Sequence, residues 1–199
     1  MKTYGLIGKN IDYSFSKSYF NTKFNNEAIK AKYINYDIEN IKEIKQIVNN
    51  SIELAGLNVT IPYKEAVIPF LDEIDPQAER IGAVNTIKIE NKKLIGYNTD
   101  VFGFTKSIFS LIAPNHEAAL ILGTGGAAKA IRHALVSMGY NINFVSRDKE
   151  KGDYTYDDLT SDIIKSHQLI VNCTPLGTHP DVNQFPPIPY EFIDERHLL

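Results

Sequence analysis

The chain has 199 residues, 43% of them hydrophobic, which fills either one large core or two small ones. A formal net charge of −3 gives no footprint for nucleic acid or an anionic membrane surface. No apolar run approaches the ~20 residues that span a bilayer, and the start, Met1 to Gly8, has too short an apolar core for a signal peptide. One cysteine, Cys173, cannot form an internal disulfide and fits a reducing, cytoplasmic setting. His116, His133, His167, His179 and His197 show no ligand spacing with Cys or carboxylates, so no metal is expected.

The first half alternates strands and helices. A strand near Thr3 to Ile7 leads to a loop carrying Ser14 and Ser16, then a helix from about Lys17 to Ile29 and a strand from Tyr33 to Tyr36. Ile41, Ile44, Val48 and Ile52 recur with helical spacing. Leu57 to Thr60 reads as the third strand, after which Pro62 stops pairing and opens a helix through Tyr63 to about Leu71. Val84 to Ile89 and Leu94 to Tyr97 read as paired strands turned at Glu90-Asn91-Lys92. Val101, Phe104, Ile108 and Leu111 then form one face of a helix running to Ile112, ended by Ala113-Pro114-Asn115.

Lys64 falls at the junction of strand and helix. The partial positive charge of a helix N-terminus disfavours a second positive charge, which suits a lysine to give up and take back a proton. The plainer alternative is a solvated lysine in the first turn of a surface helix. Thr60, Asn85 and Asp100 likewise stand at ends of strands or starts of helices, where ligand-binding groups collect in α/β proteins. Asp100 is equally well placed as a helix N-cap.

The second half opens as a dinucleotide-binding unit. Ala118 to Leu122 is a buried-strand candidate that runs into Gly123-Thr124-Gly125-Gly126-Ala127-Ala128, a G-x-G-x-x-A loop. Glycines let the backbone approach a pyrophosphate, and the helix that follows offers its amide donors. Ala127, Ile131, Ala134, Leu135 and Met138 supply a helix face, Gly139 a C-cap, and Asn141 to Val145 the next strand. An NAD site would usually carry an acid at the end of that strand. Here Ser146-Arg147-Asp148 offers a guanidinium suited to a 2′-phosphate, which favours NADP, with Lys149 or Lys151 available to offset Asp148.

Several of these segments, in this order, resemble the shikimate/quinate dehydrogenase family. The resemblance rests on Gly5-Leu6-Ile7-Gly8 with Ser14-Phe15-Ser16, on Asn58 to Glu65, on Gly82 to Thr86, on Asn98-Thr99-Asp100, on the glycine loop and on Asn172-Cys173-Thr174-Pro175-Leu176-Gly177. It implies an α/β fold of two domains: residues 1–100 as a substrate-binding and catalytic domain with a mixed sheet, and residues 101–199 as a Rossmann-type domain. It implies reversible NADPH-dependent reduction of 3-dehydroshikimate to shikimate in aromatic amino-acid biosynthesis, by a monomer or homodimer. Lys64 and Asp100 would be the catalytic pair. Ser14 and Ser16 would hold the substrate carboxylate, and Thr60, Asn85 and Asp100 its ring hydroxyls. Gly123, Thr124, Gly125, Gly126, Ala127, Ser146, Arg147, Asn172, Thr174, Pro175 and Leu176 would line the cofactor.

The chain departs from that pattern at Lys17, where many relatives have proline, at Asp148, and at its end. His197-Leu198-Leu199 reads as the start of a strand that family members continue, so the Rossmann-type domain is expected to be incomplete. A quinate- or NAD-dependent relative, a methylenetetrahydrofolate dehydrogenase and a catalytically silent binding protein are the alternatives. The serine pair and Asn98-Thr99-Asp100 speak against the second, and the presence of both Lys64 and Asp100 against the third.

Overall fold

The computed structural model describes residues 1–113, 116–179 and 181–199. Two units, Met1–Thr99 and Asp100–Leu199, each carry their own sheet and core.

In the first unit the elements are β1 (Lys2–Gly8), α1 (Ser16–Asn26), β2 (Ala31–Asp37), α2 (Ile44–Asn50), β3 (Leu54–Val59), α3 (Tyr63–Ala66), β4 (Glu73–Ile74), α4 (Pro76–Ile81), β5 (Thr86–Glu90) and β6 (Lys93–Tyr97). They build a six-stranded sheet in the order β2-β1-β3-β5-β6-β4. β1 runs parallel to β2 and β3, whereas β5 is antiparallel to β3 and β6. Alternation along β1 sends neighbouring side chains into different cores. Ile7 joins Leu57, Val59 and Ile87, while Leu6 joins Ile11 and Tyr33 beneath Phe20 and Phe24 of α1. The β5–β6 hairpin closes through Asn91 (φ 52°) and Lys92 (φ 64°), the left-handed pair that a two-residue turn needs.

The second unit contains α5 (Asp100–Ile108), β7 (Ala118–Leu122), α6 (Gly126–Ser137), β8 (Asn141–Val145), α7 (Ser161–Ser166) and β9 (Leu169–Asn172). Its three strands are parallel in the order β8-β7-β9. Because β8 and β9 lie on opposite sides of β7, the loop after β7 opens at a topological switch point. Leu198 pairs beside Leu169 on the outer side of β9: its N–H donates to the Gln168 carbonyl at 2.8 Å and its carbonyl accepts from Ile170 at 2.9 Å. The two buried histidine rings are structural ties. His167 reaches the Asn143 side chain at 3.0 Å, and His197 the Ile164 carbonyl at 3.1 Å.

Several expected boundaries move. α1 ends at Asn26 rather than Ile29, because Ala28 turns left-handed (φ 52°) and the Ile29 N–H folds back onto the Phe24 carbonyl. Ile52 is exposed and lies beyond α2, so the apolar face stops at Val48. β3 begins at Leu54, three residues before its expected start. The helix expected from Tyr63 to Leu71 is a four-residue α3 followed by a 3₁₀ turn at Ile68–Phe70, since Pro69 has no N–H to continue the α ladder. α5 stops at Ile108, after which a turn leaves Leu111 exposed while Ile112 packs inward. Of the segment expected to end that helix, Pro114 and Asn115 lie outside the described residues. On α6, Ala128 and Ala130 face the core where Ala127 was expected to. α4 had no sequence expectation, although Asp75-Pro76 and Gly82 mark it. Asp75 caps the Gln77 and Ala78 N–H groups, and Gly82 closes the helix at φ 71°.

Candidate active site

In the first unit the expected substrate residues gather near the ends of β1, β3 and β5. The serine loop is held from below by Asp37, whose carboxylate oxygens accept from the Asn10 and Ile11 N–H groups at 2.9 and 3.0 Å. The Ser14 N–H then bonds to the Ile11 carbonyl, and the Ser14 hydroxyl accepts from the Ser16 N–H at 3.3 Å, leading into α1. Thr60 follows β3, its N–H donating to the Ile7 carbonyl at 3.0 Å. Gly8 lets this segment and the serine loop approach, since a Cβ there would fall 2.5 Å from Ile11 and 2.6 Å from Thr60.

Lys64 sits in α3, and its backbone carbonyl accepts from the Val84 N–H at 2.7 Å. With only four residues, α3 has little aligned dipole, so the electrostatic reason expected for Lys64 is weaker than the sequence suggested. Buried Asn85 accepts from the Thr99 N–H at 2.9 Å and donates to the Thr99 hydroxyl at 3.0 Å. The Asn98 amide donates to the Ala83 carbonyl at 2.9 Å. Thus the lysine, asparagine and aspartate segments are stitched together up to Thr99. Asp100 follows as the first residue of α5 and belongs to the second unit.

Four polar residues join this group without having been singled out for a role: Tyr33, Asn58, Thr86 and Thr99. The Tyr33 hydroxyl donates to the Asn58 oxygen at 2.8 Å, the Asn58 amide donates to the Thr86 hydroxyl at 3.3 Å, and that hydroxyl donates to the Asn85 oxygen at 3.0 Å. The Ser16 hydroxyl bonds to the Tyr33 phenol, whose ionisation burial pushes well above its ordinary range. A signal was present in the sequence: an amide inside the apolar run Leu57-Asn58-Val59 needs partners once buried.

In the second unit the expected cofactor residues cluster at the carboxyl ends of the three parallel strands. Gly123 turns at φ +102°, and a Cβ there would come within 3.3 Å of the Cys173 backbone and the Thr174 side chain. Gly125 precedes α6, a 12-residue helix whose first turn presents its N–H groups. The Gly123 N–H is fixed on the Val145 carbonyl at 2.8 Å, and the Cys173 N–H on the Leu122 carbonyl at 2.9 Å. Asn172 braces its own loop, accepting from the Thr174 N–H at 2.9 Å and hydroxyl at 2.6 Å, while its amide donates to the Leu176 carbonyl at 3.1 Å. Pro175 starts a turn closed by the Thr178 N–H. Ser146 is buried and its hydroxyl accepts from the Asp148 N–H, whereas Arg147 is exposed. The acid beside Arg147 is neutralised: Asp148 pairs with Lys151 at 3.0 Å, and that bond holds its carboxyl below the usual range.

Residues 6–87 match the family model described as the shikimate dehydrogenase substrate binding domain. The NADP(+) shikimate dehydrogenase of Methanococcus vannielii is 38% identical to the chain, covering 93% of it and 72% of the relative. The chain belongs to the shikimate dehydrogenase family. A Clostridium botulinum enzyme of the same name is 40% identical over the whole chain and 81% of its own length. The crystal structure of shikimate dehydrogenase from Aquifex aeolicus matches with a TM-score of 0.84 at 34% identity, covering 100% of this chain and 77% of that one. Within the shikimate dehydrogenase fold, the glycine loop at the β7 switch point is the Rossmann element.

Proposed function

We propose that the chain catalyses the reversible, NADPH-dependent reduction of 3-dehydroshikimate to shikimate, the oxidoreductase step of aromatic amino-acid biosynthesis that its family carries out. One geometric observation carries the site: the Lys64 carbonyl and the Val84 N–H lock the lysine segment to the asparagine segment at 2.7 Å. Residues 1–100 act as the substrate and catalytic domain, and residues 101–199 as the dinucleotide-binding domain.

The residues of the second unit fit NADP. The close approach at Gly123 leaves no room for a side chain, the N-terminus of α6 offers amide donors, and Arg147 stands exposed after β8 with Asp148 already paired. Gly123, Thr124, Gly125, Gly126 and Ala127 would hold the pyrophosphate, Ser146 and Arg147 the 2′-phosphate, and Asn172, Thr174, Pro175 and Leu176 would border the nicotinamide. When bound, this cofactor supplies the hydride that reduces the C3 carbonyl.

The chain's own work is binding and proton transfer. Ser14 and Ser16 donate to the substrate carboxylate, and Thr60, Asn85 and Asp100 hold its ring hydroxyls. Lys64 delivers a proton to the oxygen at C3 as negative charge develops there, and in the reverse direction removes it. Asp100 orients Lys64 and takes part in holding the neighbouring hydroxyl. The protein works in a reducing cytoplasm, the setting its single cysteine fits, as a monomer or homodimer.

The test is the absorbance of reduced nicotinamide after mixing the chain with shikimate and either NADP or NAD. Reduction of NADP in preference to NAD is expected; no reduction of either would reject the reading.

A further inference from the structure

A single backbone N–H sets the direction of a hydrogen-bond chain across the first unit. The Thr99 N–H can only donate, so the Asn85 atom that receives it at 2.9 Å must be the oxygen. That oxygen carries no proton, so the Thr86 hydroxyl, 3.0 Å away, donates to it and must accept from its other neighbour, the Asn58 NH₂ at 3.3 Å. The Asn58 oxygen therefore faces Tyr33 and receives the phenol proton at 2.8 Å. The Tyr33 oxygen is left to accept from the Ser16 hydroxyl.

The chain spans the sheet on one face. Tyr33 lies on β2, Asn58 on β3 and Thr86 on β5, with Asn58 and Thr86 directly opposed in register. Tyr33 is buried, 3% exposed, under Phe20, whose ring stacks on it at 4.7 Å, so its hydroxyl is held in place. The two ends of the chain are Ser16, assigned above to the substrate carboxylate, and Asn85, assigned to a ring hydroxyl.

We infer that Tyr33, Asn58 and Thr86 are positioning residues for substrate binding, coupling the serine loop to Asn85 through this directed chain. The inference rests on the function proposed above. An arriving carboxylate takes the Ser16 proton from Tyr33. This costs little, because the phenol keeps its own donated bond to Asn58 and only its acceptor site is vacated. Breaking the chain in its middle is different, since it strands partly buried amide atoms and frees both ends to reorient.

The experiment is a double-mutant cycle on the full chain with Tyr33→Phe and Thr86→Val, each checked for an unchanged circular dichroism spectrum. Each variant is expected to raise the KM for shikimate about tenfold with kcat within about threefold. The pair is expected to raise it little further, because either change already breaks the chain. Thr86→Ser, which keeps the hydroxyl, should restore the wild-type KM. Additive losses near a hundredfold, or a fall in kcat at constant KM, would overturn the coupling. If the wild-type chain does not oxidise shikimate, the proposed function fails, and the coupling is decided by NMR of the isotope-labelled chain. Movement of the Asn85 side-chain amide resonances in Tyr33→Phe upholds the coupling, and unmoved resonances overturn it.

Discussion

The carbonyl of Lys64 and the N–H of Val84 lie 2.7 Å apart, joining the segment that carries the proposed acid–base group to the segment that carries Asn85. The bond is made by backbone atoms, so it survives any replacement of the lysine side chain. A Lys64 variant therefore reports on chemistry rather than on folding.

Lys64→Ala is expected to lower turnover of shikimate by about 10²–10⁴-fold with little change in KM, the usual contribution of a positioned acid–base group. Steady-state rates alongside a melting curve check this. Near-normal turnover in a folded variant would remove Lys64 from the mechanism.

Arg147→Ala should weaken NADP by about 10–100-fold and leave NAD almost unaffected, because only NADP has a phosphate for a charge-assisted bond. Parallel titrations of the two cofactors measure the ratio. Equal losses would mean that Arg147 supports the loop and not the phosphate.

Gly123→Ala should abolish measurable NADP binding while shikimate still binds. The φ of +102° strains an alanine there, and its Cβ would sit 3.3 Å from the Cys173 backbone, where a pyrophosphate has to come close. Calorimetry with each ligand separately tests this, and retained NADP affinity would count against the loop.

Acid stability depends on carboxyl groups held below their ordinary range. Bonds from Arg196 lower that of Asp194, and bonds from the Thr155 N–H and hydroxyl lower that of Asp158. A depressed folded-state value means that the unfolded chain binds the extra proton first, so the stabilisation is present above the unfolded carboxyl range, about pH 4, and is lost as pH falls below it. Asp194→Asn should therefore flatten the decline in melting temperature below about pH 4 relative to wild type. An unchanged decline would show that the Asp194–Arg196 pair adds nothing in solution.

Local rules were enough for the parts whose structure is set by neighbours in sequence. The run Ala118–Leu122, the glycine loop, α6 and β8 stand where apolar periodicity and glycine chemistry put them. The β5–β6 hairpin turns where Asn91 and Lys92 allow it. The same rules misread α3, where apolar spacing suggested a long helix but Pro69 broke the ladder, and Ile52, where helical spacing continued past the end of α2.

The sequence by itself determined the family and the order of elements, because motifs such as Asn58 to Glu65 and Gly123 to Ala128 are contiguous and carry their chemistry locally. Only the tertiary structure decided the strand order β2-β1-β3-β5-β6-β4 and the polar chain from Ser16 to Thr99. Asn58 meets Thr86 because β5 turns antiparallel beside β3, and Tyr33 reaches Asn58 across the intervening β1. Hydrogen bonds between residues far apart in sequence depend on register, and register is set when the sheet forms its core.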